Sequence, residues 1–532
     1  MILFELVIAL LLLGAILTLW ANRLAVPYPA LLAPAGAALA LIPGIPPVTL
    51  DPQLALALFV APILLDAGYD ASPRDLRANL QPLISLALVM VILTIVAVAV
   101  VARKFVPGMS WPVAITLGAI VAPPDASAAT AVLRRLRPPH RLMVILEGES
   151  LFNDASALLI YRIAVGATMT GMSAGWKILP LLLLTCGGGV LAGIVLARLY
   201  LRLTRDIEDV QVSIILQFVG TFWVWLIADH LGLSAIITMV SYAMTIGQLA
   251  PARINARHRI SSYAVWEQVV FILNVLAFVL IGLQLRIIVT RMREADLHTY
   301  AVCAGAICLT VILVRWAWVM VFGYSRMWRA KYFPPRGGVK GPRPPRGSGM
   351  VIAWSGMRGI VTLAAALALP DDSPASAFPY RDLIILCAFS VVLSTLVLQG
   401  LTLRPLLILL GLRDDGSVAR EVQLARIETS RAALRLLAEE RDGDAAAEIL
   451  RQEYEARIRS GERTPAGDES GESRLSELQR RAVQAQRQVL VELRAREVIG
   501  DDAFHAAEEE IDLLELTADE RIRPGPDKVA PL

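Results

Sequence analysis

Apolar runs of roughly 18 to 25 residues follow one another along this chain to about residue 411, the length a helix needs to cross about 30 Å of hydrocarbon. Backbone N–H and C=O groups in lipid must be satisfied internally, so such runs fold as helices. The 532 residues are 56% hydrophobic and 18% charged, too apolar for a soluble chain of this length. The sequence therefore predicts an all-α polytopic membrane protein with about thirteen spans. These lie near 2–20, 27–46, 53–69, 81–102, 111–133, 142–168, 178–200, 210–228, 232–249, 263–285, 300–322, 348–370 and 383–411. The opening run MILFELVIALLLLGAILTLW lacks the basic n-region of a signal peptide, its early charge being Glu5, and is read as the first span.

Lysines and arginines in short loops orient the spans. The odd-numbered loops hold Arg23; Arg74 and Arg77; Arg134, Arg135, Arg137 and Arg141; Arg202 and Arg205; Arg253, Arg257 and Arg259; and a basic stretch from Arg326 to Arg346. Even-numbered loops are poorer, with Arg286, Arg291 and Arg293 running against the trend. The expected topology has the N-terminus outside and the C-terminus in the cytoplasm. An Arg-, Ala- and Pro-rich, Cys-poor composition fits a bacterial plasma membrane. After residue 411 the composition changes: residues 413–532 carry 19 basic and 28 acidic residues and no apolar run. The expected division is a transmembrane domain over 1–411 and a cytoplasmic tail over 412–532. Amphipathic helices are expected near 418–440, 443–460, 473–498 and 502–517, with RSGERTPAGDESGES as a linker. The tail reads as a small helical domain or a partly disordered segment and leaves room for a regulatory ligand or partner; no nucleic-acid partner is expected.

Two spans are interrupted. The fifth contains AIVAPPDASAATAV, where Pro123 and Pro124 cannot continue the hydrogen-bond ladder. In the twelfth, AWSGMRGIVTLAAALALP, Gly356 and Gly359 bracket Arg358. Irregular backbone at membrane depth requires surrounding protein or a water-filled cavity. The breaks lie seven spans apart, so two six-helix halves of opposite orientation would place them at matching positions, the pattern of a transporter site near the midplane. Asp125 can cap a half-helix N-terminus and Arg358 can neutralise half-helix C-termini. Direct ion contact is the other reading for both.

The span after the first break, LMVILEGESLFNDASALLIYRIAV, carries Glu147, Glu149, Ser150, Asn153 and Asp154. An ionised carboxylate near the bilayer centre costs at least about 2.5–3.5 kcal/mol unless compensated. Ser150 and Asp154 lie four residues apart on one face and offer hard oxygen ligands from adjacent turns. Desolvation raises such a carboxyl toward neutrality while a bound cation favours its charged form, so cation and proton compete for the same oxygens. If the site crosses only when occupied, that competition is antiport. One carboxylate exchanging one proton for one monovalent cation is electroneutral. Glu147, Glu149 and Arg358 complicate the count, and an Arg–Glu pair would cancel one of them. Asp66, in LLDAGYDAS near a span end, is either an interfacial charge or a group near the site.

Other classes fit less well. An intramembrane enzyme needs a nucleophile–base pair or metal ligands at depth. The five histidines fall mostly in loops or at span ends, without an H-E-x-x-H pattern. Cys186, Cys303, Cys308 and Cys387 lie inside apolar runs without ligand spacing and read as small buried hydrophobes. A channel would show filter loops, and a scaffold has no reason to keep three carboxylates in one span. No cofactor is expected; Na⁺ or K⁺ and H⁺ are cargo.

GESLFND, VAPPDASAAT, LLDAGY, WEQVVFILNVLAFVLIGL and WSGMRGIVTLAAALALP together resemble the NhaP/NHE-like sodium/proton antiporters, the first cation/proton antiporter family. The likeness spans about residues 1–410. It implies thirteen helices in two inverted repeats, a dimerisation bundle, a moving core where two broken helices cross, and a homodimer working in membrane lipid by an elevator-like movement. It also implies Asp154 as the ion and proton site, Ser150 as co-ligand with Asn153 beside it, and a Glu149–Arg358 pair holding the core. Asp66 would be a nearby ligand or support, and the cycle electroneutral. The family often carries Thr-Asp-Pro at the first break. This chain has Pro124-Asp125-Ala126, which removes a threonine hydroxyl and leaves selectivity among Na⁺, K⁺ and Li⁺ open.

Overall fold

A computed structural model describes residues 2–24, 26–43, 51–136, 138–170, 178–250, 256–291, 294–332, 347–370, 378–439, 445–463 and 481–490, with a few isolated positions beyond. The basic stretch at 333–346 and most of the tail after 463, including the expected helix at 502–517 apart from isolated residues, lie outside the described residues. The chain divides into two compact units, Met1–Leu412 and Arg413–Leu532.

Among its described residues the regular secondary structure of the first unit is all helix. In chain order its helices are α1 (Ile2–Leu24), α2 (Pro29–Ala40), α3 (Gln53–Asp70), α4 (Leu80–Phe105), α5 (Trp111–Val121) and α6 (Ala126–Leu136). There follow α7 (His140–Thr170), α8 (Ile178–Leu203), α9 (Val210–His230), α10 (Ala235–Leu249), α11 (Ala256–Arg291) and α12 (Glu294–Tyr332). The last three are α13 (Ser348–Trp354), α14 (Ile360–Leu367) and α15 (Arg381–Leu410). Among the described residues nine helices are long and apolar enough to cross a membrane. The remaining segments expected to span are also helical. Two are short (α2 and α10), α7 carries charge, and α13–α14 is interrupted.

Large apolar side chains lie exposed along α1 (Phe4, Leu12, Leu19, Trp20) and α8 (Leu183, Leu184, Leu191, Leu203). Exposed apolar surface on this scale suits a hydrocarbon solvent. Most buried residues form one core running through most of the helices, with a small second cluster of Leu86, Met90, Ile145, Val319 and Ala353.

Within this unit the helices pack as two groups. One contains α1, α2, α3, α8, α9, α10 and α11; the other contains α4 to α7 and α12 to α15. Close backbone contact joins α2 to α11: a Cβ on Gly282 would stand 2.3 Å from the Ala33 carbonyl oxygen, and one on Gly36 2.2 Å from that of Val279. Only glycine allows that approach.

Residues 71–79 connect the groups, leading from α3 to α4. Their one-turn helix Pro73–Ala78 is capped by Ser72, whose hydroxyl accepts the Asp75 N–H. The first residues of α7 grip this connection: Arg141 Nε donates to Asn79 Oδ1 at 2.8 Å, and a His140 ring nitrogen lies 3.4 Å from Asp75 Oδ2. Partial burial pushes the Asp75 carboxyl up, but hydrogen bonds from Arg74, His140 and Ser72 outweigh it and hold the carboxyl below its ordinary value.

A depressed carboxyl stabilises the fold above its unfolded pKa of about 3.9 and loses that contribution as pH falls through the folded value. Solvent screening limits the effect to about 1 kcal/mol or less. Asp75→Asn should therefore melt slightly below wild type at neutral pH, with the gap closing on acidification below about pH 4; melting curves over that range check it.

In the second unit α16 (Ser417–Leu437) and α17 (Ala445–Arg463) pack together, with Arg451 donating to the Leu437 carbonyl at 2.7 Å. Residues 481–490 are helical. The helix α17 runs on into the first residues of the expected linker, because Glu453–Arg457 and Glu455–Arg459 pairs support it at i,i+4 spacing.

Candidate functional site

The two breaks meet. Prolines at 123 and 124 end α5, and the backbone stays non-helical from Ala122 to Asp125. The second interruption covers Ser355 to Gly359. The Asp125 N–H donates to the Met357 carbonyl at 2.6 Å, so each break satisfies part of the other. Asp125 Oδ1 accepts the Ser127 N–H at 2.8 Å, capping α6.

Arg358 is fully buried. Its N–H donates to Thr395 Oγ1 at 3.1 Å, its Nε to the Val121 carbonyl at 3.2 Å, one terminal nitrogen to the Ala122 carbonyl at 3.3 Å and the other to the Gly356 carbonyl. Those carbonyls sit at the C-terminal end of α5 and just beyond α13. The helix-compensating reading of Asp125 and Arg358 fits these contacts.

Close approach here depends on Gly359: a Cβ on it would fall 1.7 Å from Asp125 Oδ2. Gly359→Ala is expected to push the breaks apart. Overpacking of this kind costs about 1–3 kcal/mol, so the purified variant should melt several degrees below wild type. An unchanged melting temperature would contradict this packing.

The charged helix α7 passes beside the crossing. Asn153 is fully buried and donates through Nδ2 to the Pro124 carbonyl at 2.9 Å. Ser150 Oγ accepts the Ala126 N–H at 3.3 Å. Both residues thereby hold the first break against α7. Asp154 is 8% exposed, and among the described residues no protein group hydrogen-bonds its carboxylate. Asp125 lies close enough to act on it electrostatically. Asp154, Ser150, Asn153, Pro123, Pro124 and Asp125 are thus brought together around one crossing.

One pairing departs from expectation. The expected ion pair of Glu149 with Arg358 is replaced by one with Arg315. Arg315 Nη1 and Nη2 donate to Glu149 Oε1 and Oε2 at 2.5 and 2.9 Å, with both side chains buried. Arg315 also donates to the Ile352 carbonyl at 2.9 and 3.1 Å. The physical reason is competition for donors. Carbonyl oxygens freed at the breaks occupy Arg358, while α12 brings a second guanidinium in a fork that matches the carboxylate. Reading the sequence overlooked Arg315, although a lone arginine inside the apolar run LTVILVRWAWVMV is itself a signal.

For Asp66 the sequence leaves two readings open, an interfacial charge and a group near the site. It is half-buried on α3, and its charged neighbours are Asp70, Arg134, Glu267 and Glu147. Glu147 itself pairs with Arg134 at 3.4 Å.

Among the described residues no cluster of three His, Cys, Asp or Glu side chains could hold a resident metal. A buried carboxylate with a hydroxyl one turn away, beside two helix breaks, can instead take up and release a proton or a monovalent cation.

The model of the family described as "Sodium/hydrogen exchanger, transmembrane" matches residues 8–409. A sodium, potassium, lithium and rubidium/H⁺ antiporter of Bacillus pumilus is 32% identical over 465 residues, covering 83% of this chain and 67% of the relative. An uncharacterised Na⁺/H⁺ exchanger of Mycobacterium tuberculosis is 31% identical over 538 residues, 96% of each chain. The sodium proton antiporter MjNhaP1 of Methanocaldococcus jannaschii superposes with a TM-score of 0.59 at 20% identity, covering 77% of this chain and 100% of that one. At that identity the superposition speaks for the fold alone. The chain belongs to the sodium/hydrogen exchanger family, as a polytopic helical membrane transporter that is not an enzyme and whose ions are substrates rather than cofactors.

Proposed function

We propose that the chain is a secondary active antiporter exchanging Na⁺ or K⁺ for H⁺ by alternating access, with Asp154 as the group that cation and proton share. The observation that carries the reading is a buried carboxylate that no described protein group hydrogen-bonds, at the meeting point of two helix breaks. Ser150 retains a lone pair for a cation after accepting the Ala126 N–H. Beside it the side-chain oxygen of Asn153 is buried, with no hydrogen-bond partner among the described residues. Asp66 is a nearby ligand or a support of that site.

The charges around the crossing favour electroneutral exchange. Glu149 and Asp125 are balanced by Arg315 and Arg358, all drawn into the same packed region. Asp154 then leaves the region neutral when it carries either one proton or one monovalent cation. The same balance disfavours a divalent ion.

The two helix groups supply a frame and a moving core, joined by the 71–79 connection. Residues 1–411 are the transport domain, in two inverted repeats of six helices, working as a homodimer in the lipid of the plasma membrane with the N-terminus outside and the C-terminus cytoplasmic. The tail over 412–532 is a regulatory region open to a ligand or partner. The cation range named for the Bacillus pumilus relative keeps K⁺ and Li⁺ beside Na⁺ as substrates.

Vesicles containing the protein and an internal pH dye test the reading. Addition of Na⁺, K⁺ or Li⁺ should drive proton efflux that a valinomycin–K⁺ voltage clamp leaves unchanged. Voltage-sensitive exchange would overturn the one-for-one stoichiometry. Cation flux without proton movement would indicate a channel.

A further inference from the structure

Arg162 Nη2 stands 3.3 Å from Asp229 Oδ1 as an ion pair. Arg162 lies on α7, in the helix group that carries Asp154, and Asp229 is the last residue but one of α9, in the other group. The pair therefore bridges the two groups. At 1.5 Å per residue Arg162 stands about 12 Å past Asp154 along α7. In the orientation proposed above, this is the external end of the site.

The two ends differ. At the external end the groups also meet through apolar side chains: Ala55 of α3 and Leu280 and Ile281 of α11 line one small cavity with Ile360 and Leu363 of α14. Toward the cytoplasmic end Asp70 is exposed, Asp66 and Glu147 are half-buried, and Glu147 pairs with Arg134 inside its own group. Asp154 thus has charged, partly hydrated side chains to one side of it. To the other side stand apolar packing and an ion pair that ties the groups together.

Exposure suits that pair to opening. Its side chains are 55% and 51% exposed, so water receives the separated charges at little cost. The Glu149–Arg315 pair is the opposite case, buried, bidentate and contained within one group; breaking it would strand charges away from water. A bridge between parts that move past each other has to be cheap to break, and a brace inside one moving part does not.

We propose that Arg162 and Asp229 form a latch that holds the external end shut in this conformation and opens each time the core presents Asp154 to the outside. The inference rests on the alternating-access reading of the site. It adds two residues to the transport cycle that touch neither the cation nor the proton.

Cross-linking in the full-length protein in vesicles tests it. Arg162→Cys with Asp229→Cys, joined by a short bis-methanethiosulfonate linker, should lose cation-driven proton movement, and reductant should restore it. The linker should change the rate of neither singly substituted protein. Protein shown by mass spectrometry to be linked that exchanges as fast as before linking would overturn the latch, as would failure of the two thiols to link. Charge reversal gives a second readout. Arg162→Asp sets two carboxylates against each other and raises the fraction open to the outside; apparent affinity scales with that fraction. The half-saturating external cation concentration should fall a few-fold, and adding Asp229→Arg should return it. No shift, or a shift that the charge swap leaves in place, would overturn the proposal. Absence of exchange in the unmodified protein would fail the transport reading and the latch with it, whereas each of the other contrary results fails the latch alone.

Discussion

Asp154→Asn is expected to abolish cation-driven proton movement in reconstituted vesicles while leaving the protein folded. Asparagine copies the shape of the protonated carboxyl but has no proton to exchange. No described protein group hydrogen-bonds the Asp154 carboxylate, so the substitution removes no contact that holds the crossing together. A buried carboxyl is expensive to ionise, so the variant should melt at or slightly above the wild-type temperature. The combination distinguishes a lost ion site from a lost fold. Residual exchange well above that of empty vesicles would place the shared group elsewhere. A large fall in melting temperature would assign Asp154 a structural role.

The second large effect concerns stability. Arg315→Met leaves the Glu149 carboxylate buried without its bidentate partner, and breaking a buried pair from one side costs about 3–5 kcal/mol. The Ile352 carbonyl also loses two donors. The variant is expected to express poorly or melt far below wild type. Adding Glu149→Leu removes the stranded charge and should restore much of the loss, because replacing both partners of a buried pair with apolar groups is often close to neutral. Arg358→Met should not be rescued by Glu149→Leu, since Arg358 serves backbone carbonyls at the breaks. Melting curves of the five proteins decide this. Rescue of the Arg358 variant alone would reinstate the pairing that the sequence suggested.

That pairing shows where sequence reading stops. The apolar runs, the proline pair at 123–124 and the glycines flanking Arg358 were legible because each acts on its own stretch of backbone. Helical spacing likewise placed Ser150 and Asp154 on one face of α7. The choice between Arg315 and Arg358 for Glu149 depends on distances between α7, α12 and the second break, which no local pattern encodes. The position of Asp66 failed to resolve for a similar reason: being one span end away in sequence says little about which acids share its surroundings.

The central claim is that one carboxylate holds the cation and the proton alternately. Proton release on cation binding measures this directly, without transport, in weakly buffered detergent solution of the purified protein. Adding Na⁺, or whichever cation drives exchange, should release one proton per bound cation from wild type near the pH at which the site is half protonated, and none from Asp154→Asn. Cation binding to wild type without proton release, or undiminished release from Asp154→Asn, would contradict the account.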